Sequence, residues 1–200
     1  MPEWETVREF TLSNVERPAT RTRNRIDWGP NAIRVPPGPR DDRVLEPCAY
    51  VGPDRTLYVD PSLTQLLCRV VPQSDHTWSV VDATNTELGT ITRLPSTHPV
   101  LRPNWRITQP GRPEVLGRTE WLSGPPARLA AKAAGRLLVG VLDGLTGIGE
   151  GGGDQPVKAR TLEWHAGGEV VMYSEGTNLI TVKADWLDRR LAFAYCLIAT

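Results

Sequence analysis

The chain has 200 residues, of which 40% are hydrophobic and 23% charged, a composition that fits one globular domain with its own core, with or without a tail. Its formal net charge of zero excludes the overall positive field of many nucleic-acid-binding proteins, so we expect no nucleic-acid partner. The three cysteines form no C-x-x-C pair, and the first residues lack the basic and apolar stretches of a secretory signal. We therefore expect a cytoplasmic protein.

Residues 1–46 differ from the rest of the chain, because they are rich in proline and arginine and show little apolar periodicity. We predict that they form an extended or loosely ordered N-terminal arm, followed by one domain over residues 47–200. The arm contains a basic run without an acid, formed by Arg17, Arg21, Arg23 and Arg25. This run is suited to contact an anion or a partner, although runs of charge are also typical of a solvated tail.

The domain begins with short β-rich runs separated by turn residues, and three of its segments open on a tryptophan: Trp78, Trp105 and Trp164. In the first two segments a glycine, Gly89 or Gly117, stands near the start of the second run. A large ring can fill a barrel interior or cap its rim, and the glycine lets the second strand bend. These repeats of a Trp-headed hairpin predict a β-meander or β-barrel.

The β-rich series is interrupted between the second and third hairpins. Pro125 and Pro126 can open a helix, the helix formers from 127 to 142 place apolar residues along one side, and several glycines follow. We predict an amphipathic, glycine-terminated insertion over residues 125–153 that provides a contact element.

The fifteen residues 185–199, close to the C-terminus, predict a helix with Asp185 as its N-cap and Asp188 in its first turn. After Arg190 every residue up to Ala199 is uncharged and most are apolar, so no face of the helix suits water. At about 21 Å long the helix is too short to span a bilayer, and we expect no transmembrane segment. The sequence therefore predicts a mainly β protein, a closed antiparallel barrel wrapped around a hydrophobic C-terminal helix.

Three segments together resemble the tubby C-terminal-like superfamily, which includes the LURP-one-related and phospholipid scramblase-like proteins: Trp78–Ile91, Trp105–Gly117 and the Asp-Trp-Leu-Asp-Arg-Arg-Leu-Ala-Phe-Ala ending. The resemblance covers about residues 50–200 and implies a closed barrel of about twelve strands threaded by the C-terminal helix. It also implies binding rather than catalysis, because eukaryotic tubby barrels bind phosphoinositide through basic residues and a membrane link is proposed for the scramblase-like branch. Residues 1–46 and the insertion have no counterpart in the family, and the lipid-binding cations do not map onto positions here.

The sequence holds no recognisable catalytic, cofactor or metal motif. His76, His98 and His165 are far apart and have no partner at metal-ligand spacing. We therefore expect no enzyme, no cofactor and no metal site. The alternative that remains open is a small-molecule or enzymatic pocket at the barrel mouth that uses these histidines.

Charge is distributed unevenly along the domain. From Leu88 to Arg136 there are eight cations and two acids, whereas from Asp143 to Asp188 there are eight acids and three cations. If the cations share one rim, they would attract an anionic phospholipid surface or an acidic partner protein, with the protein peripheral at the membrane. The alternative is that the two segments pair internally. Our candidate anion-binding residues are Arg102, Arg106, Arg112, Arg118, Arg128, Lys132 and Arg136.

The first hypothesis is therefore a non-enzymatic, tubby-like binding module for an anionic phospholipid surface or a partner protein. A further alternative is a structural or assembly protein whose N-terminal arm becomes ordered on binding.

Overall fold

The computed structural model describes residues 2–19, 24–36, 44–95, 105–119, 161–175 and 179–199. Two short 3-10 turns, Trp4–Thr6 and Pro53–Arg55, and one α-helix, α1 (Arg189–Ala199), accompany twelve strands within these ranges. The strands are β1 (Glu9–Arg17), β2 (Asp27–Val35), β3 (Glu46–Val51), β4 (Thr56–Tyr58), β5 (Leu66–Ser74), β6 (Thr77–Val81), β7 (Glu87–Arg93), β8 (Trp105–Thr108), β9 (Val115–Thr119), β10 (Thr161–Ala166), β11 (Glu169–Glu175) and β12 (Leu179–Val182).

The twelve strands form one closed antiparallel barrel, in which each strand pairs with the next along the chain and β12 pairs with β1. Closure gives each described strand a partner on both sides, apart from the outer halves of β1 and β2, and so limits the edges available for pairing with other chains. The predicted fold class, a mainly β closed barrel around a C-terminal helix, is confirmed.

The alternation of strand direction gives the barrel two ends. At the distal end, where α1 finishes, the strands β1, β3, β5, β7, β9 and β11 end and the strands that follow them begin. At the proximal end, where α1 begins, lie the β4–β5, β6–β7, β8–β9 and β10–β11 connections. Each residue can therefore be assigned to an end from its position in its strand.

The helix α1 occupies the barrel interior, as predicted. All seven residues from Leu191 to Leu197 are buried. Phe193 is 0% exposed and meets the ring of Phe10 from β1 edge to face, with 4.7 Å between ring centroids. Because apolar side chains surround the helix on every side, the strands must enclose it.

The start of the helix differs from the prediction. The helix begins at Arg189, and the cap is Asp188, whose Oδ1 accepts a hydrogen bond from the backbone N–H of Arg190 at 2.9 Å. Asp185, the predicted cap, instead pairs with Arg8 at 2.6 Å. The preceding turn stays non-helical because the Arg189 side chain donates hydrogen bonds to two of its carbonyls.

The prediction that residues 1–46 form an arm outside the domain is wrong for the part that the structure describes. The strands β1 and β2 lie in this range, and β1 closes the ring by pairing with β12. Phe10 and Ile33, from these two strands, are both 0% exposed in the core. The domain therefore begins before residue 47. The high proline and arginine content of this segment did not predict its two barrel strands.

The three predicted Trp-headed hairpins are confirmed as β6–β7, β8–β9 and β10–β11. The glycine of the first marks a bend, because a bulge lies beside Gly89, which has a positive φ, and a Cβ there would overlap the carbonyl oxygen of Thr108. The glycine of the second has another role. A Cβ on Gly117 would lie 3.1 Å from the ring of Trp164, so this glycine makes room for the tryptophan of the next hairpin.

Candidate functional site

The distal end presents an aromatic surface that continues into the core. The ring of Tyr195 from α1 packs between Trp164, at 4.7 Å, and Trp105, at 5.3 Å, and Trp105 in turn lies 6.1 Å from Trp78. Trp164 is fully buried and donates a hydrogen bond to the hydroxyl of Ser174 at 3.1 Å. Trp78 and Trp105 are only partly buried, so the row of rings reaches the surface near the distal end.

Burial also sets the chemistry of this row. Burial raises the pKa of Tyr195 to about 12, although its hydrogen bond with Ser174 acts in the opposite direction. The hydroxyl therefore stays neutral at physiological pH. These rings therefore contribute packing and apolar surface rather than acid–base chemistry.

Two of the candidate cations lie together on the outer wall near the distal end. Arg106 on β8 stands opposite Leu116 on β9, which makes Arg118 its diagonal neighbour on the same face. The Arg106 Nε lies 3.1 Å from an oxygen of Glu114, and both side chains are more than 40% exposed, at 42% and 44%. Arg118 is exposed and stands opposite Glu163 of β10. This last register is the one point where the structure aligns a predicted cation with an acid of the later segment, among the residues described.

The candidate set does not form one patch. Arg112 lies in the β8–β9 turn at the proximal end, with its guanidinium 6.0 Å from the ring centroid of Trp186. Arg118 lies at the other end of β9, whereas the side chain of Arg106 reaches Glu114 of this same turn. Arg112 and Arg118 therefore do not share one rim, because a hairpin turn and the free ends of its strands lie at opposite ends of an antiparallel barrel.

The remaining candidates, Arg102, Arg128, Lys132 and Arg136, lie outside the described residues, as does the predicted insertion 125–153. The structure does describe where the flanking chain leaves and re-enters the barrel. Residues 93 and 105, like residues 119 and 161, are strand ends at the distal end. Arg93, which the candidate set omitted, is exposed there.

The histidines of the pocket hypothesis do not come together in the part of the chain that is described. His76 is exposed in the β5–β6 turn, whereas His165 lies on the outer wall at β10, 3.3 Å from the carboxylate of Glu163. His98 lies outside the described ranges. With the interior occupied by α1, these positions lend no support to a histidine pocket at the barrel mouth. Within the same ranges, no group of three or more metal-ligating side chains is placed to hold an ion.

The three cysteines are free and fully buried. Burial raises the pKa of Cys48 and of Cys68 to about 12, and it raises the pKa of Cys196 as well. Because the thiolate is the reactive form of cysteine, these thiols act as small hydrophobic groups and not as nucleophiles.

Sequence reasoning missed a buried arginine, Arg34, which is 1% exposed although it points away from the barrel interior. Its guanidinium donates hydrogen bonds to the carbonyls of Ser13 at 3.1 Å, Leu45 at 2.8 Å and Pro30 at 3.0 Å. These contacts hold the outer halves of β1 and β2, which pair only with each other among the described strands, against the barrel wall. Nothing in the local sequence distinguishes this arginine from the exposed ones around it.

The extension of β1 and β2 also carries the most exposed large hydrophobic residue that the structure describes. Trp28 is 59% exposed. It stands opposite Val15, which is buried. A tryptophan in water at this position is the kind of exposed apolar group that interaction surfaces use.

No described helix is long and apolar enough to cross a membrane. Comparisons with protein-family models, with curated proteins and with solved structures find no match to this chain.

Proposed function

We propose that this protein is a non-enzymatic, tubby-like binding module whose distal end engages an anionic phospholipid surface. The observation that carries the proposal is the combination found at that end: the partly exposed rings of Trp78 and Trp105 together with the exposed guanidinium groups of Arg93 and Arg118. Tryptophan favours the boundary between lipid headgroups and acyl chains, and arginine is attracted to anionic headgroups.

Strand direction strengthens the proposal. The two longest connections between strands, β7–β8 and β9–β10, both start and finish at the distal end. These connections contain Arg102, Arg128, Lys132 and Arg136 in the sequence. The topology therefore brings the attachment points of four candidate cations to the end that already holds Arg93 and Arg118.

The electrostatic contribution can be estimated for single residues. A cation near an anionic bilayer contributes about 1 kcal/mol, which corresponds to about fivefold in affinity. Arg118 contributes less than Arg93 if the opposing Glu163 offsets part of its charge. Because the attraction acts through water, it weakens over a Debye length of about 8 Å at physiological salt.

Co-sedimentation with vesicles tests the proposal, using neutral phosphatidylcholine and the same lipid with added phosphatidylserine. We expect recovery with the anionic vesicles only, about fivefold weaker for Arg93→Ala, and weaker again at high salt. The matched control is Arg112→Ala, because Arg112 lies at the proximal end and should leave binding unchanged. Equal recovery with both vesicle types, also unchanged on deleting residues 125–153, would remove the lipid function.

A partner protein is the second candidate, and a separate observation favours it. Trp28 is exposed on an extension that Arg34 holds in place, so the ring is presented on an anchored support. If a protein is the partner, Trp28→Ala weakens its capture while vesicle binding stays the same. A loss of vesicle binding in Trp28→Ala would instead assign this extension to the lipid surface.

A further inference from the structure

The barrel wall has an opening at the proximal end, between β1 and β2. The strand β1 pairs with β12 from Glu9 onward, but it pairs with β2 only from Thr11, opposite Arg34. Continuing that register would place Glu9 opposite Pro36, which has no N–H to donate to the ladder. The two strands therefore separate before they reach the end of the barrel.

The separation creates an open pocket of about 390 Å³. Its volume lies at the lower end of the range for small-molecule sites in proteins, about 300 to 1,000 Å³. The lining comes from the N-terminal segment and the end of β2: Pro2, Thr6, Val7, Arg8, Glu9, Val35 and Pro36. Four of these side chains are aliphatic, so most of the wall suits a hydrocarbon group.

Glu9 is the acidic residue of the pocket lining. Its carboxylate is half-buried and has no hydrogen bond or ion pair with any residue in the described ranges. Burial raises the pKa of Glu9, the charge of Lys183 lowers it and that of Glu175 raises it. A carboxylate that has lost part of its hydration without gaining a hydrogen-bond partner is stabilised when a cationic donor reaches it.

The surrounding charges leave room for such a cation. Arg8, which also lines the pocket, directs its guanidinium to Asp185 at 2.6 Å and is matched by that charge. The ammonium of Lys183 lies 5.9 Å from the ring centroid of Tyr173. Glu175 is a second carboxylate that acts on Glu9, and Arg189, which bonds the carbonyl of Val7, is a second cation that shares Asp185 with Arg8. These groups carry three negative and three positive charges, and Glu9 is the lining carboxylate that no described donor reaches.

We propose that the opening between β1 and β2 is a binding site for an aliphatic amine, with the ammonium on the Glu9 carboxylate and the hydrocarbon stem against Val7 and Val35. A charged hydrogen bond to the carboxylate supplies specificity, and the aliphatic wall removes the stem from water. The site lies at the opposite end from the lipid-binding surface, so it stands independently of the proposed function.

Amide NMR titration of the full-length protein with n-butylamine tests the site, with n-butanol as the neutral analogue of similar size. We expect saturable shifts at Thr6–Phe10 and Val35 with the amine, and at least about tenfold weaker binding of the alcohol. Glu9→Gln should lower amine affinity by at least about tenfold. Glu3→Gln, a change to an exposed carboxylate on the same segment, should leave it unchanged.

Two results would overturn the proposal: equal affinity of Glu9→Gln and the unchanged protein for the amine, or no saturable shift at these amides. A structural loss in Glu9→Gln is distinguishable, because it would move amide signals throughout the barrel before any ligand is added. Acetyl-lysine amide, acetylated on its α-nitrogen, identifies the source of the amine. Tighter binding than butylamine indicates a lysine side chain of a polypeptide, and weaker binding indicates a free amine.

Discussion

Replacing Phe193 with alanine tests the enclosed helix most directly. The ring is 0% exposed and meets Phe10 at 4.7 Å, so the change removes buried apolar surface and leaves a cavity that the closed barrel cannot collapse to fill. We expect the free energy of unfolding to fall by about 3 to 5 kcal/mol. Of this, about 0.5 to 1.5 kcal/mol is the edge-to-face contact with Phe10, which a double-mutant cycle with Phe10→Ala would isolate.

Urea denaturation followed by tryptophan fluorescence provides the measurement. Leu63→Ala is the control, because Leu63 is 38% exposed and its truncation should cost about 0.5 kcal/mol or less. If Phe193→Ala leaves too little folded protein to measure, Phe193→Leu supplies a smaller loss at the same position. A loss for Phe193→Ala no larger than that of the control would refute the enclosed helix, because a ring outside the core has no cavity to leave.

Three further predictions concern single positions in the barrel. Gly89→Ala should destabilise the barrel by about 3 kcal/mol or more in the same denaturation assay, since the new Cβ overlaps the β8 backbone. The control is Gly111→Ala, also at positive φ but with open space around it, which should cost about 1 kcal/mol. Arg34→Met should leave three carbonyls without their donor and loosen the extension of β1 and β2. We expect a loss of about 3 kcal/mol in the free energy of unfolding and faster amide exchange in the extension. Arg25→Met, at an exposed site, should change stability by about 0.5 kcal/mol or less. The three thiols should resist iodoacetamide at pH 8 in the folded protein and react only after denaturation, measured by mass spectrometry; rapid labelling of the folded state would contradict their burial.

The sequence predicted the fold where one physical constraint had a single solution. A segment that is apolar on all faces and too short for a bilayer has to be enclosed, and repeated hairpins are the structure that can enclose it. Asp185 suits a cap by residue type, yet the helix begins after Asp188, because Arg189 donates hydrogen bonds to the carbonyls of the preceding turn. That arrangement depends on a contact with Val7, at the other end of the chain, and so it leaves no local signal.

The candidate site was less predictable, because the sequence does not show at which end of the barrel each charged residue lies. Arg112 and Arg118 are six positions apart, yet a turn and a strand carry them to different ends. No sequence pattern singles out Glu9, since its lack of a described hydrogen-bond partner depends on where the β1–β2 pairing stops. Residue types predicted the chemistry available to the surface, and strand register determined which groups share it.

A barrel filled by its own helix has to use its ends or its outer wall for binding, and here the two ends differ. At the proximal end, hydrogen bonds join segments that are far apart in the sequence. Arg189 donates one to the carbonyl of Val7 at 2.6 Å. Gln109 makes two, with the carbonyl of Trp186 at 3.1 Å and with the backbone N–H of Asp188 at 3.0 Å. A ligand there meets a fixed frame, which suits a small pocket with one defined carboxylate. The distal end combines rings and arginines with the longest connections of the fold, which suits a broad, charged surface. Selective recognition of a small cation at one end and of an extended anionic surface at the other is therefore compatible with a single rigid barrel.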